Sequence, residues 1–595
     1  MKRLGVFLLV FGATALFNRA ELSSVDEGFI FNTTAALVKK QSFQMDEKLS
    51  GRIYSRFSPL PSFFAAPFYA VTDLVIRRPY PVGMKRDWLL FAAGLSSCVL
   101  TAWTAVALFG LLRSLNYSED AAVWSSLLWA FGTLAFPYSS SLFHQVMATL
   151  LMVYVVRFAL EGRLIGTAIT TALLVSIQLT LAATVLPLCL RDRGRPNWRT
   201  LFGLAIGILG GFGLHVLTNW LRGDHWLHGA YETEAFTTPT IVGAVGLFFS
   251  SGKGLLWFAP LAFLGLMTLV PFAYRRPKIG RPLLFAVTCH CLAVIHWWAW
   301  HGSLSWGPRL LLPILPLMFI PIADLIERRS QIPVWEPRLT GSVAALSILI
   351  NLWAATQPMM GFLNEIQNES MSEWVNIPSF SPLAHPLPAA TFVRRLEDSA
   401  ASTPIQVVGG ILLLVGGLLI CRWNGIQRNV KPLAPWRAIL LTLAALVAPH
   451  WWDGPTSKGR QAWLLNSDEL HFPIRGVYRL ERIGDDKGSI SIGAVRLDRN
   501  NRSAFIEAPP MSLPVKHTDG GGTLLWTIPG EGEYRVPVPP DYLTSRDQFT
   551  ERRFVMFLKD YSWLLYLLAV PLYFDWLLGG RRMKETAEIG TEAKT

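Results

Sequence analysis

Charge is scarce in this chain: Asp, Glu, Lys and Arg make up 16% of its 595 residues, while apolar types make up 51%. Soluble domains carry about a quarter charged residues, so this balance excludes an apolar core wrapped in a charged shell. Apolar surface has to meet lipid. Cysteine is sparse as well, and all five (Cys98, Cys189, Cys289, Cys291, Cys421) fall inside apolar runs. That excludes a disulfide framework or a zinc-type spacing in a soluble segment. Cys289 and Cys291 flank His290, but within an apolar run the triplet reads as helix packing, and no metal site is expected. There is no internal repeat and no low-complexity tract beyond the polar tail 583–595. Unmatched halves weigh against a transporter built from repeats. The net charge of +13 would suit nucleic acid, yet membrane proteins collect Lys and Arg in cytoplasmic loops. No nucleic-acid partner is expected.

Long apolar runs are what the chain does have. A helix crossing the hydrocarbon core needs about twenty apolar residues. Runs at 4–17, 88–112, 121–136, 143–159, 164–177, 179–190, 200–218, 255–274, 282–298, 309–324, 339–355, 405–421, 437–449 and 557–578 predict an all-α polytopic membrane protein of about fourteen segments. Arg157 and Arg163 precede 164–190, and Arg191, Arg193, Arg195 and Arg199 follow it. Keeping both clusters cytoplasmic predicts two short segments turning back around Gln178. Arg275, Arg276, Lys278, Arg281, Arg328, Arg329, Arg581 and Arg582 then gather on one side, while the turn 136–143 opposite has no basic residue. This asymmetry predicts a multi-pass protein of the cytoplasmic (inner) membrane with both termini in the cytoplasm. Met-Lys-Arg followed by 4–17 also reads as a signal peptide, with Ala13-Thr14-Ala15 as its cleavage site.

Four stretches fall outside: 18–87, 219–254, 356–404 and 450–556. The last alternates in period two, as in Gly476–Ile483, between turn signals such as Asp519-Gly-Gly-Gly522. It predicts a small β-rich extracytoplasmic domain. The division expected is a transmembrane module 1–449, the β-rich domain 450–556, a final helix 557–578 and a cytoplasmic tail 579–595.

Chemistry concentrates in 18–87. Asp26 and Glu27 are adjacent carboxylates beside an apolar, aromatic stretch, where desolvation raises a carboxylate's proton affinity towards that of a general base. A second reading has Asp26 capping the helix through Asn32–Lys40. The segment holds ten Lys and Arg against seven Asp and Glu, which suits an anionic, membrane-borne ligand. Arg56 can form a forked pair with a phosphate, with Tyr54 donating a further hydrogen bond; snorkelling on an interfacial helix is the alternative. The run Ser62–Val71 is amphipathic.

Several stretches, taken in order, resemble one family. Asp26-Glu27, Ala35-Ala-Leu-Val-Lys39, Tyr54-Ser-Arg56-Phe-Ser-Pro59 and Pro67-Phe-Tyr69 form the first. Pro137-Tyr-Ser-Ser-Ser-Leu-Phe-His144, Ser251-Gly-Lys-Gly-Leu-Leu-Trp-Phe-Ala-Pro260 and Trp297–Pro313, with Gly307-Pro308-Arg309, follow. Together they resemble the GT-C superfamily of glycosyltransferases, in the bacterial branch related to protein O-mannosyltransferases and lipid A aminoarabinose transferases. The resemblance covers about residues 1–325 and departs from the pattern at Ser58, where Gly is common. It implies a GT-C-like fold, a polyprenyl-phosphate-linked sugar as donor, inverting transfer, Asp26 or its neighbour as base, and Tyr54 and Arg56 near the donor phosphate. The acceptor, whether glycan, glycolipid or protein, does not carry over.

The inventory of residues agrees with that chemistry. A phosphate leaves without a strong general acid, so one base and flanking cations suffice. Asp26 with Arg56 and Arg309 supplies them, Arg309 opening a helix whose N–H groups add to anion binding. Lys253, His144 and His301 are further candidates for substrate contact, each also readable as packing or an interfacial anchor. Glu232 and Glu234 could assist a metal or the acceptor; Glu365, Glu369 and Glu373 read as a solvated helix face. No cofactor is implied, and two carboxylates alone make a weak site for a divalent cation. The competing functions are a multi-span transporter of a lipid-linked or anionic substrate and a polysaccharide polymerase or ligase.

Overall fold

A computed structural model of the chain describes residues 2–49, 52–76, 82–192, 195–222, 235–303, 305–357, 375–376, 378, 381–384, 402–423 and a set of β-strands between 463 and 538. The expected spans 437–449 and 557–578, the tail 579–595, most of 356–404 with Glu365, Glu369 and Glu373, and Glu232 and Glu234 lie outside the described residues.

The chain opens with α1 (Lys2–Leu16) and continues into α2 (Val25–Lys40), a hairpin of β1 (Gln44–Leu49) and β2 (Arg52–Tyr54), and α3 (Leu60–Val75). Then come α4 (Val82–Ser114), α5 (Glu119–Phe131), α6 (His144–Glu161), α7 (Leu164–Ile177) and the five-residue α8 (Leu181–Val185). A short pairing of β3 (Leu190–Asp192) with β4 (Arg195–Pro196) leads to α9 (Trp198–Leu221). The remainder of the bundle is α10 (Thr240–Phe249), α11 (Leu255–Phe258), α12 (Pro260–Arg275), α13 (Pro277–His296), a 3-10 stretch Arg309–Met318 running into α14 (Phe319–Glu327), α15 (Trp335–Thr356) and α16 (Ser402–Trp423). By length and composition, six described helices can cross a membrane: Lys85–Ser114, His144–Glu161, Trp198–Leu221, Pro277–His296, Arg309–Glu327 and Trp335–Thr356.

Against about fourteen expected segments, the spans 437–449 and 557–578 lie outside the described residues, and several described runs are interrupted by backbone breaks that hydropathy does not register. The run 164–190 does break at Gln178, but its second half is only α8 followed by a 3-10 turn, Leu186–Cys189, containing Pro187. The run 255–274 breaks at Ala259 ahead of Pro260. Pro313 and Pro316 lack the N–H an α-ladder needs, so 309–318 winds as 3-10 helix. Such breaks are tolerated in a bundle when neighbours satisfy the freed groups. Asn351 on α15 does this for α11, its Nδ2 donating to Phe258 O at 3.0 Å.

The core gathers α4, α6 and the 309–318 stretch, with Trp129, Phe258 and Phe319 fully enclosed. Helix α1 is an integral part of the bundle, with Val6 and Val10 fully buried. It packs on α16 along glycines: a Cβ on Gly416 would sit 2.6 Å from Leu9 N, and one on Gly5 3.0 Å from Gly416 O. That closeness is what small residues provide between membrane helices.

Helix α3 buries Ser62, Ala65 and Tyr69 and leaves Phe63, Val71 and Val75 exposed, as an interfacial helix does. Beyond residue 463 the strand Gly476–Ile483 pairs antiparallel with Ser503–Ala508 and with Gly522–Thr527, and Gly522–Thr527 pairs with Glu533–Val538. A second sheet centres on Met511–Thr518, flanked by Glu469–Phe472 and Ser489–Ile492.

Candidate active site

The site is assembled at the end of the bundle where α2 begins. Ser24 is the N-cap of α2, its Oγ accepting from Glu27 N at 3.3 Å. The capping role open to Asp26 therefore belongs to Ser24, and Asp26 sits in the first turn, where the helix dipole favours a negative charge. Its Oδ1 accepts from Arg56 Nη2 at 2.9 Å and its Oδ2 from Arg309 Nη2 at 2.7 Å. Three segments remote in sequence thus meet on one carboxylate. The Arg309 guanidinium also lies 4.1 Å from the Phe143 ring centroid, and that of Arg56 lies 5.2 Å from the ring of Phe57. Such cation–π contacts fix both forks in place.

Burial alone would raise the proton affinity of Asp26. Arg309, and after it Arg56, outweigh that and hold the carboxyl below its ordinary value. This corrects the expectation that desolvation dominates at Asp26. Desolvation dominates one residue on. Burial pushes the carboxyl of Glu27 up, against hydrogen bonds from Ser23. Glu27 is fully enclosed: its Oε2 accepts from Ser23 N at 2.6 Å and Ser23 Oγ at 2.8 Å, and its Oε1 from Leu142 N at 3.0 Å. Its expected catalytic role is corrected accordingly. With both oxygens hydrogen-bonded away from solvent, Glu27 ties α2 to the turn before α6. A divalent cation on the pair would have to displace these donors.

Arg309 owes its position to the loop 302–308. Gly302 and Gly307 have φ of 69° and 57°, the left-handed region that glycine enters freely. A Cβ on Gly302 would also stand 3.0 Å from Arg309 Cγ. Lys253 holds this loop from the turn after α10. Its Nζ donates to Ser303 O at 2.8 Å, to Ser305 O and to Ser305 Oγ at 2.9 Å. Burial first and Arg309 second push its pKa well down. Lys253 is fully enclosed, so its predicted substrate contact is corrected to a loop fastening. Tyr138 adds a second one, its hydroxyl donating to Trp306 O at 2.7 Å. Lys253→Met should lower stability by about 2–4 kcal/mol, since loop carbonyls lose their donor. Thermal unfolding in detergent measures this, and a wild-type melting temperature would refute the fastening.

His144 opens α6 and stacks on Phe57 with centroids 5.0 Å apart. Its Nδ1 is buried without a partner among the described residues. His301 Nδ1 accepts from Ser303 N at 3.0 Å, and burial, then Lys253 and Arg309, lower its pKa to about 4. His301 is therefore neutral at physiological pH. Tyr54 ends β2, half-buried, and does not join the ion-pair cluster. Ser58 is absent from the positive-φ residues, so serine in place of glycine carries no backbone cost there. His290 bonds to Thr184 Oγ1 at 3.0 Å and Leu310 O at 2.9 Å; it ties α13 to its neighbours, as the packing reading expects.

Two arginines were missed. Arg222 Nη2 donates to Phe57 O at 2.6 Å, supporting the segment that carries Arg56. Arg19, buried, donates to Gln357 O at 2.9 Å and Pro137 O at 3.3 Å. The available signal was an arginine soon after an apolar run on the predicted outer side, Arg19 after 4–17 and Arg222 after 200–218.

No family model and no curated protein matches the chain. Among solved structures it is similar to ArnT from Cupriavidus metallidurans bound to undecaprenyl phosphate, with 15% identity and a TM-score of 0.40 over 76% of this chain and 80% of that one. The apo state of the same protein gives 14% identity and a TM-score of 0.40 over 74% and 78%.

Proposed function

We propose that this chain is a multi-pass membrane glycosyltransferase that moves a sugar from a polyprenyl-phosphate donor to an acceptor hydroxyl at the extracytoplasmic face. The observation carrying this is the unused donor capacity of Arg309 beside Asp26. One carboxylate faces two guanidiniums, and the buried Nε and Nη1 of Arg309 have no partner among the described residues. Buried donors without partners are costly, and an anion with several oxygens, such as phosphate, matches a guanidinium fork. The exposed apolar face of α3 supports a donor borne on lipid, and the GT-C resemblance of the same motifs supports the sugar-phosphate class.

The chemistry follows from the pairing. In the resting site the arginines keep Asp26 ionised but weakly basic. A bound phosphate takes over guanidinium hydrogen bonds and offsets their charge, so the proton affinity of Asp26 rises once the donor is in place. The acceptor oxygen then bonds to the anomeric carbon while its proton passes to Asp26. The bond from that carbon to the phosphate oxygen breaks, and the electron pair leaves with the phosphate, held by Arg309 and Arg56. A single displacement inverts the anomeric centre. The strands between 463 and 538 are proposed to form an extracytoplasmic domain that recognises the acceptor.

Arg56→Ala should weaken binding of a polyprenyl phosphate about ten- to a hundredfold, the effect of one lost charge-assisted contact. The acceptor KM should stay unchanged. Unaltered donor affinity with changed acceptor use would overturn the assignment. For the function as a whole, mass spectrometry of envelope glycans and lipid-linked sugars from a deletion strain is decisive. One missing residue on one glycan would name donor and acceptor together, and an unchanged glycan profile would reject the proposal.

A further inference from the structure

At the opposite end of the bundle from Asp26, the C-terminal ends of α4 and α6 meet the start of α9 and the α12–α13 turn. They line a half-open cavity of about 290 Å³. Arg276, Lys278, Asn116 and Asn197 line it on its polar side, Leu160 and Ile279 on its apolar side, and no carboxylate lines it among the described residues. Arg276 is pre-positioned: its Nε lies 3.3 Å from Asp324 Oδ1 and its guanidinium 4.9 Å from the Tyr117 ring centroid. Arg275 at 3.1 Å and Arg328 at 2.9 Å pair with that same buried carboxylate. Glu327, held by Ser118, lies near Tyr117 as well, and three guanidiniums against these two carboxylates leave surplus positive charge beside the cavity. This site shares no residue with the Asp26 cluster.

We propose that this cavity binds the phosphate of an anionic glycerophospholipid from the adjoining leaflet. Charge complementarity selects an anion, and a basic pocket between helix ends at the membrane surface suits a lipid headgroup. The apolar wall decides between lipid and free phosphate. A soluble phosphate would satisfy the cations but leave Leu160 and Ile279 facing water, whereas the upper acyl chain of a phospholipid covers them. Arg276 is already held by Asp324 and Tyr117, so little side-chain freedom is lost on binding.

The test uses the full chain, purified in neutral detergent after exposure to phosphatidylglycerol or phosphatidylcholine, with native mass spectrometry counting retained lipid. Phosphatidylglycerol should be retained in preference to phosphatidylcholine. Lys278→Glu changes an exposed lining residue and leaves Arg275, Arg276 and Arg328 to pair with Asp324. It should reduce retention about tenfold, as loss of one charge-assisted contact does. Arg276→Lys, which keeps a cation beside Asp324, should give an intermediate loss. Equal retention in wild type and Lys278→Glu would overturn the site. Displacement of phosphatidylglycerol by inorganic phosphate, with the same gain in melting temperature, would overturn the lipid assignment in favour of a soluble anion.

Discussion

Asp26→Asn should lower kcat by about 10²–10⁴-fold, the contribution expected of a positioned general base. The amide has the shape of the carboxylate and retains an oxygen for Arg309 or Arg56, so insertion and folding should survive. What it removes is the proton acceptor and one negative charge. Arg309 and Arg56 then face the donor without the Asp26 charge between them, and donor affinity should hold or tighten while kcat falls. A residue that merely positioned the arginines would give the reverse, a weakened donor KM with turnover retained. The pH profile separates the readings further. Arg309 and Arg56 hold Asp26 below its ordinary value in the free protein, so it is ionised at every pH above that lowered value. The acid limb of kcat/KM should therefore lie below the usual carboxylate range, and that of kcat, reporting the donor-bound site, should lie higher. Near-normal turnover in Asp26→Asn would remove Asp26 from the chemistry.

Arg309→Gln should be the most destabilising change at the site, costing about 3–5 kcal/mol. It strips the nearer partner from a buried carboxylate and leaves that charge under-compensated. With Arg309 gone, burial becomes the stronger influence on Asp26 and its proton affinity rises, so the acid limb of kcat/KM should move to higher pH. Adding Asp26→Asn removes the stranded charge. The double variant should then unfold at less than the summed cost, by a coupling of about 1–3 kcal/mol. Arg309→Lys keeps the charge but not the fork. It should recover stability more than donor affinity. A wild-type acid limb in Arg309→Gln would show that the clamp does not set the basicity of Asp26.

Asp26, Arg56 and Arg309 were legible in the sequence because residue type and topology suffice to select them. A carboxylate and two arginines beside apolar runs, all on one predicted side, have few inexpensive placements other than together. Which neighbour does what was not legible. Asp26 and Glu27 are indistinguishable as letters, yet one faces two guanidiniums and the other turns back to Ser23 and Leu142. Lys253 was a candidate for substrate contact by type and place, but its acceptors are loop atoms of Ser303 and Ser305 some fifty residues on. Long-range main-chain acceptors leave no trace in a one-dimensional pattern. Within the apolar runs, the break at Gln178 was legible from the flanking charge, while hydropathy sums over Ala259 without registering that the helix ends there.

The glycine seam between α1 and α16 bears on how the protein is made. Gly5 and Gly416 touch, so the first helix leaves the ribosome about 20–80 s ahead of its partner at ordinary elongation rates of about 5–20 residues per second. Through that interval its small-residue flank lies open to bilayer or to insertion machinery, and closure of the seam is a late assembly event. Enlarging Gly416 should therefore reduce the yield of mature protein more than it slows the turnover of molecules that complete assembly.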